Sequence, residues 1–146
     1  MQDGFNMSST LKLKCLQVNP KQLHNLPKGD RMVEEVQFLI TTIQDQGSRI
    51  QEAFRSYQDK HFIQRTPEFF CLELCGEAGE LANLEKKLWK GKEISIDDVE
   101  SEVADVFIAL HNYANARGIS LEKVVAEKLA KIEKKRSKHQ EDGTIY

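Results

Sequence analysis

The chain has 146 residues, enough for one domain with a buried core, and a formal net charge of −2, which excludes a general binder of nucleic acid or membrane surface. No apolar run approaches the roughly 20 residues of a bilayer span, and the start MQDGFNMSSTLKLKCLQV does not read as a signal peptide. Three cysteines complete no disulfide framework, so a reducing, cytoplasmic setting is expected.

Residues 1–29 differ from the rest. They hold Gly4, Pro20, Pro27 and Gly29 and show no helical period, although Leu11, Leu13 and Cys15 alternate with lysines like a short strand. They read as an N-terminal extension. From Asp30, a good N-cap, the chain reads as helix. Val36, Leu39, Ile40 and Ile43 follow an amphipathic period, and Gly47 is expected to interrupt or bend that helix. A second stretch, from Ser48 to about Lys60, carries Ile50, Phe54 and Tyr57. Thr66-Pro67-Glu68 then supplies a cap position, a proline at the first helical position and an acid in the first turn. This predicts a third helix to about Lys90, stopped by Gly91. Ser95-Ile96-Asp97-Asp98 resembles a capping box with Asp in place of Glu, opening a fourth helix that ends at Arg117 before Gly118. Ser120 caps a fifth, reaching about Lys138. Residues 139–146 form a polar tail.

The expected architecture is therefore an all-α bundle of four to five helices, with a domain at residues 30–138 between the extension and the tail. The run Val103–Leu110 is apolar on nearly every side except at Asp105. Such a helix must be covered all round, so oligomerisation, as a homodimer or homotetramer, is expected to complete the bundle.

Two acidic pairs carry the chemistry. Glu77 and Glu80 lie in GEAGEL, and Glu102 and Asp105 in ESEVADVF. A separation of three puts both members of a pair on one helix face. At about 100° per residue, Phe70, Leu74, Leu81, Leu84 and Leu88 form one stripe, and Glu77 falls inside it. An unpaired buried carboxylate is costly, so converging acids call for a cation, and hard oxygen donors suit Mg²⁺ or Mn²⁺. A di-iron centre needs Glu-x-x-His, and none of His24, His61, His111 or His139 has Glu three residues before it. Cys71 and Cys75 lack a second pair at zinc spacing and read as small core residues.

E-x-x-E followed about twenty residues later by E-x-x-D resembles the all-α nucleoside triphosphate pyrophosphohydrolases, the MazG-like superfamily. The matching text is LCGEAGELANLEKKLWKG and VESEVADVFIALHNYANARGISLEKVVAEKL, and the similarity covers roughly residues 50–136. GEAGEL is closest in style to the dCTP pyrophosphatase branch. Many MazG domains have a double Glu where Gly76 stands, which leaves open which group activates water. The resemblance implies Mg²⁺-dependent cleavage of a (deoxy)nucleoside triphosphate between the α- and β-phosphates, releasing the monophosphate and pyrophosphate. It implies Glu77, Glu80, Glu102 and Asp105 as metal ligands, with Glu77 and Glu80 as candidate catalytic acids and Glu73 behind them. Lys128 falls where the family carries a lysine, although Ile132 replaces the asparagine that often follows it.

A base needs a stacking wall. Phe54, Tyr57, Phe62, Phe69 and Trp89 are available, with His61 or Phe62 the first choice for the base contact. Asn112 is a candidate donor to sugar or phosphate. The competing readings are a non-catalytic bundle holding a structural cation and a regulatory nucleotide-binding module.

Overall fold

The computed structural model describes residues 28–141, and side chains from residue 34 to 139. The suggested strand near residues 11–18 lies outside the described residues. Every element described is helical: α1 Lys28–His61, α2 Pro67–Trp89, α3 Ile96–Arg117 and α4 Leu121–Glu141. The expected all-α bundle is observed, with four helices. None of them is long and apolar enough to cross a membrane.

One expectation is corrected. Gly47 does not interrupt the first helix, and residues 28–61 form a single α1. A glycine inside a helix costs only about 1 kcal/mol relative to alanine, too little to break a helix held by packing. Its use lies elsewhere. A Cβ on Gly47 would stand 2.8 Å from the Cβ of Glu122, so the absent side chain lets α1 and α4 approach closely.

The chain divides into two compact units. In one, the described part of α1 up to Gly47 pairs with α4 from Glu122; Ala126 is buried there. On α4, Arg136 Nε donates to Glu133 Oε2 at 2.8 Å, a pair three residues apart on one helix face.

The second unit is Ser48–Leu121, holding the rest of α1 with α2 and α3. The local start signals work as expected. Pro67 opens α2 after Thr66, and Ser95 Oγ accepts from the Asp97 N–H at 3.2 Å to open α3. Gly118, at φ 67°, closes α3 in the left-handed conformation that L side chains resist. The short connection from Lys90 to Ser95 makes α2 and α3 antiparallel neighbours, packed along their length. Their far ends are joined by Arg117 and Glu68 at 3.0 Å. Phe70, Ala109 and Ala114 are buried between elements of this unit.

Gln51 fastens α1 to the chain beyond α3. It is buried, and its Nε2 donates to Asn115 Oδ1 at 3.0 Å and to the Ile119 carbonyl at 2.6 Å. Its Oε1 accepts the Leu121 N–H at 2.9 Å, satisfying an orphan donor at the start of α4. Asn115 Nδ2 returns a bond to the Gln51 carbonyl at 3.1 Å. Nearby, buried His111 donates from Nδ1 to the Phe107 carbonyl at 2.8 Å and packs on Phe54, ring centroids 4.7 Å apart. These bonds position α1 beside the α2–α3 pair, where the cleft described next opens.

Candidate metal centre and adjoining cleft

The antiparallel pairing of α2 and α3 brings their acidic segments to the same level. Glu77, Glu102 and Asp105 each present a carboxylate oxygen, and the three oxygens lie within 4.8 Å of one another. All three side chains are half-buried. Each stands where helical periodicity places it, on the face where α2 and α3 meet.

The electrostatics are those of a group of anions awaiting a counter-charge. Burial pushes the Glu77 carboxyl above its ordinary range, and the charges of Asp105, Glu80, Glu102 and Glu73 push the same way. Burial also raises Glu102, reinforced by Glu80, Asp105 and Asp98. Glu102 Oε2 is buried without a hydrogen-bond partner among the described residues. A buried carboxylate oxygen with no donor is rare and costly. An all-oxygen donor set, mutual repulsion and one orphaned oxygen together fit a hard divalent cation.

Glu80 stands slightly apart. It lies one turn beyond Glu77, is exposed, and is not one of the three converging acids, although its charge acts on both Glu77 and Glu102.

Beside the acids opens a cleft of about 670 Å³, formed entirely by residues 54–112. Its aromatic wall comprises Phe54, Tyr57, Phe62, Phe69 and Phe70. Its polar groups include Gln58, His61, Arg65 and Asn112, and its acids are Glu73, Glu77 and Asp105. The sequence-based candidates His61, Phe62 and Asn112 thus line the same cavity as two of the metal-site acids. Tyr57 packs against both His61 and Phe62, at ring-centroid distances of 5.1 and 5.5 Å. Trp89, by contrast, is 86% exposed and does not line the cleft. Lys128 is an exposed residue of α4, as are Lys131, Lys134 and Lys135.

Two further cleft residues stand out, one of them outside the expected set. Arg65 was not among the candidates. Its guanidinium lies 4.9 Å from the centre of the Phe69 ring, a cation–π arrangement that holds a permanent positive charge at the cavity wall. The only signal in the sequence is its place, directly before the Thr66-Pro67 helix start. Glu73 ranked behind Glu77 and Glu80, yet it lines the cleft and Glu80 does not.

The family model of the MazG nucleotide pyrophosphohydrolase domain matches residues 65–140, just over half of the chain. The matched span takes in all four paired acids, Asn112 and Lys128, and leaves His61 and Phe62 outside it. No curated protein and no solved structure gives a significant match.

Proposed function

The chain belongs to the MazG nucleotide pyrophosphohydrolase family, and on that premise we propose that it hydrolyses a nucleoside triphosphate at the α–β bond, releasing the monophosphate and pyrophosphate. The observation that carries this reading is the convergence of Glu77, Glu102 and Asp105 within 4.8 Å, with an orphaned buried oxygen on Glu102, beside an aromatic-walled cleft.

In this reading Glu77, Glu102 and Asp105 hold Mg²⁺ or Mn²⁺, with Glu80 next to them. A bound divalent cation supplies charge neutralisation at phosphate oxygens and a lowered pKa for bound water. The protein's own groups do the rest. Glu80, exposed and outside the three-oxygen group, keeps a carboxylate free to accept the proton of the attacking water. Glu77 orients the group from the centre of α2. The aromatic wall takes the base, with His61 and Phe62 as the contacts at the α1 end, and Asn112 offers an amide to sugar or phosphate. Lys128 is assigned to phosphate. Removal of unwanted nucleotides from the pool is the physiological counterpart of such a reaction.

The same reading places the functional domain at residues 30–138 and the protein in the cytoplasm as a homodimer or homotetramer. Partial exposure of Val103 and Phe107, at 51% and 47%, supports a covering partner copy.

The test is direct. Purified protein is incubated with Mg²⁺ and a panel of ribo- and deoxyribonucleoside triphosphates, and the products are identified. Monophosphate and pyrophosphate are expected. A diphosphate with orthophosphate, or no product with any member of the panel, rejects the assignment.

A further inference from the structure

Resting on the function proposed above, we infer that Glu73 reads the sugar of the bound nucleotide, accepting hydrogen bonds from its hydroxyls and favouring ribonucleoside over deoxyribonucleoside triphosphates.

The argument begins with position. Glu73 lines the cleft one turn before Glu77, about 6 Å along the α2 axis at 1.5 Å per residue. Phe69 and Phe70 line the same cleft one further turn towards the start of α2. Along this helix the order is therefore cation-binding acid, Glu73, aromatic wall. A nucleotide whose α-phosphate sits at the acids and whose base sits on the aromatics carries its sugar at the level of Glu73. Asn112 lines the cleft from the antiparallel α3.

The chemistry selects among the groups a carboxylate could meet there. An ionised carboxylate only accepts hydrogen bonds. It repels phosphate oxygens, whereas sugar hydroxyls donate to it in charge-assisted bonds. Two carboxylate oxygens match two neighbouring hydroxyls, and an acid on the ribose hydroxyls is a known solution in dinucleotide sites. Glu73 is not one of the three acids that converge for a cation. No hydrogen bond or ion pair engages it among the described residues. It is exposed and lines the cleft beside the aromatic wall, open to a bound ligand.

The test compares three triphosphates of one base, bearing ribose, 2′-deoxyribose and 2′,3′-dideoxyribose. They are assayed with the full chain and with Glu73→Ala and Glu73→Gln. Pyrophosphate release gives kcat/KM, and titration of the matching α,β-methylene analogues gives Kd independently of turnover. The full chain should prefer ribose to 2′-deoxyribose by about tenfold or more, the worth of one hydrogen bond to a charged group, and should discriminate further against dideoxyribose, which lacks both hydroxyls. Glu73→Ala should bring the three sugars to within about twofold, and Glu73→Gln should lie between. A rise in melting temperature on adding Mg²⁺ should persist in all three proteins, since Glu73 is not one of the three converging acids.

A sugar ratio unchanged in Glu73→Ala overturns the inference. So does a full chain indifferent to sugar, a shift in base ranking instead of sugar ranking, or loss of the Mg²⁺ response. Each of these leaves the hydrolytic function standing. Absence of both turnover and binding for every triphosphate overturns the function itself, and this inference with it.

Discussion

Glu77 on α2 and Asp105 on α3 each bring a carboxylate oxygen within 4.8 Å of the other's, and Glu102 adds a third to the same group. Three anions held this close in half-buried positions raise the free energy of the fold unless a cation neutralises them.

Metal binding and stability are expected to be linked. A ligand that binds only the folded form stabilises it by mass action, by about 2.7 kcal/mol at a hundred times its Kd. Millimolar Mg²⁺ or Mn²⁺ should raise the melting temperature, and Asp105→Ala should abolish the rise. A flat melting curve at saturating metal, together with a blank calorimetric titration, argues against the site.

Catalysis should depend on each of the four acids. Glu77→Gln, Glu80→Gln, Glu102→Gln and Asp105→Asn preserve shape and remove charge. Each should lower turnover at least about a hundredfold, roughly 2.7 kcal/mol in barrier height, while the helical circular-dichroism signal survives. Near-normal rates in these variants would contradict the proposed roles.

The metal-free protein should lose stability as pH rises across the carboxylate range. The carboxyls of Glu77 and Glu102 titrate above their ordinary values, chiefly because they are buried. The folded state therefore holds its protons more tightly than the unfolded chain, and the slope of unfolding free energy with pH is negative between the ordinary and the raised values. Below that window the penalty is absent; above it the penalty is complete. Glu68 and Glu133 are lowered, so their contribution is lost at more acid pH, below the ordinary value. Glu102→Gln should flatten the upper slope in chemical denaturation followed against pH. An unchanged slope would show that the Glu102 carboxyl is not raised in the fold.

Gly47→Ala should destabilise the protein, although alanine is the better helix former. The helix gain is about 1 kcal/mol. The new Cβ would meet Glu122 Cβ at 2.8 Å, and overpacking of that kind costs about 1–3 kcal/mol. Denaturant melts of the two proteins decide the sign. A more stable variant would mean that α1 and α4 separate without penalty.

A second copy should cover the exposed apolar residues of α2 and α3. Leu72 is 73% exposed and Val103 is 51% exposed. Light scattering at micromolar concentration should give a dimer or tetramer mass, and Leu72→Glu with Val103→Glu should shift it towards monomer. A monomer mass for the unaltered chain would require another explanation for these surfaces.

Much of this architecture was legible from local signals. Helix starts at Thr66-Pro67 and Ser95, and the stop at Gly118, depend on backbone chemistry within a few residues. The acidic pairs share a face because three residues nearly complete a helical turn. A short connection between α2 and α3 makes them antiparallel neighbours, so the two acidic pairs were expected on adjoining helices; that Glu77, Glu102 and Asp105 converge while Glu80 stands apart was not legible from spacing.

The rest depended on which distant surfaces touch. Gln51 reaches Leu121 across 70 residues, and nothing local to either announces the bond. Gly47 reads as a helix breaker until Glu122 is seen against it. Arg65 and Glu73 belong to the cleft, and Glu80 does not, because small rotations of packed helices decide which polar side chains look into a cavity. Periodicity assigns a residue to a face of its own helix; only the packing of three helices decides what that face confronts.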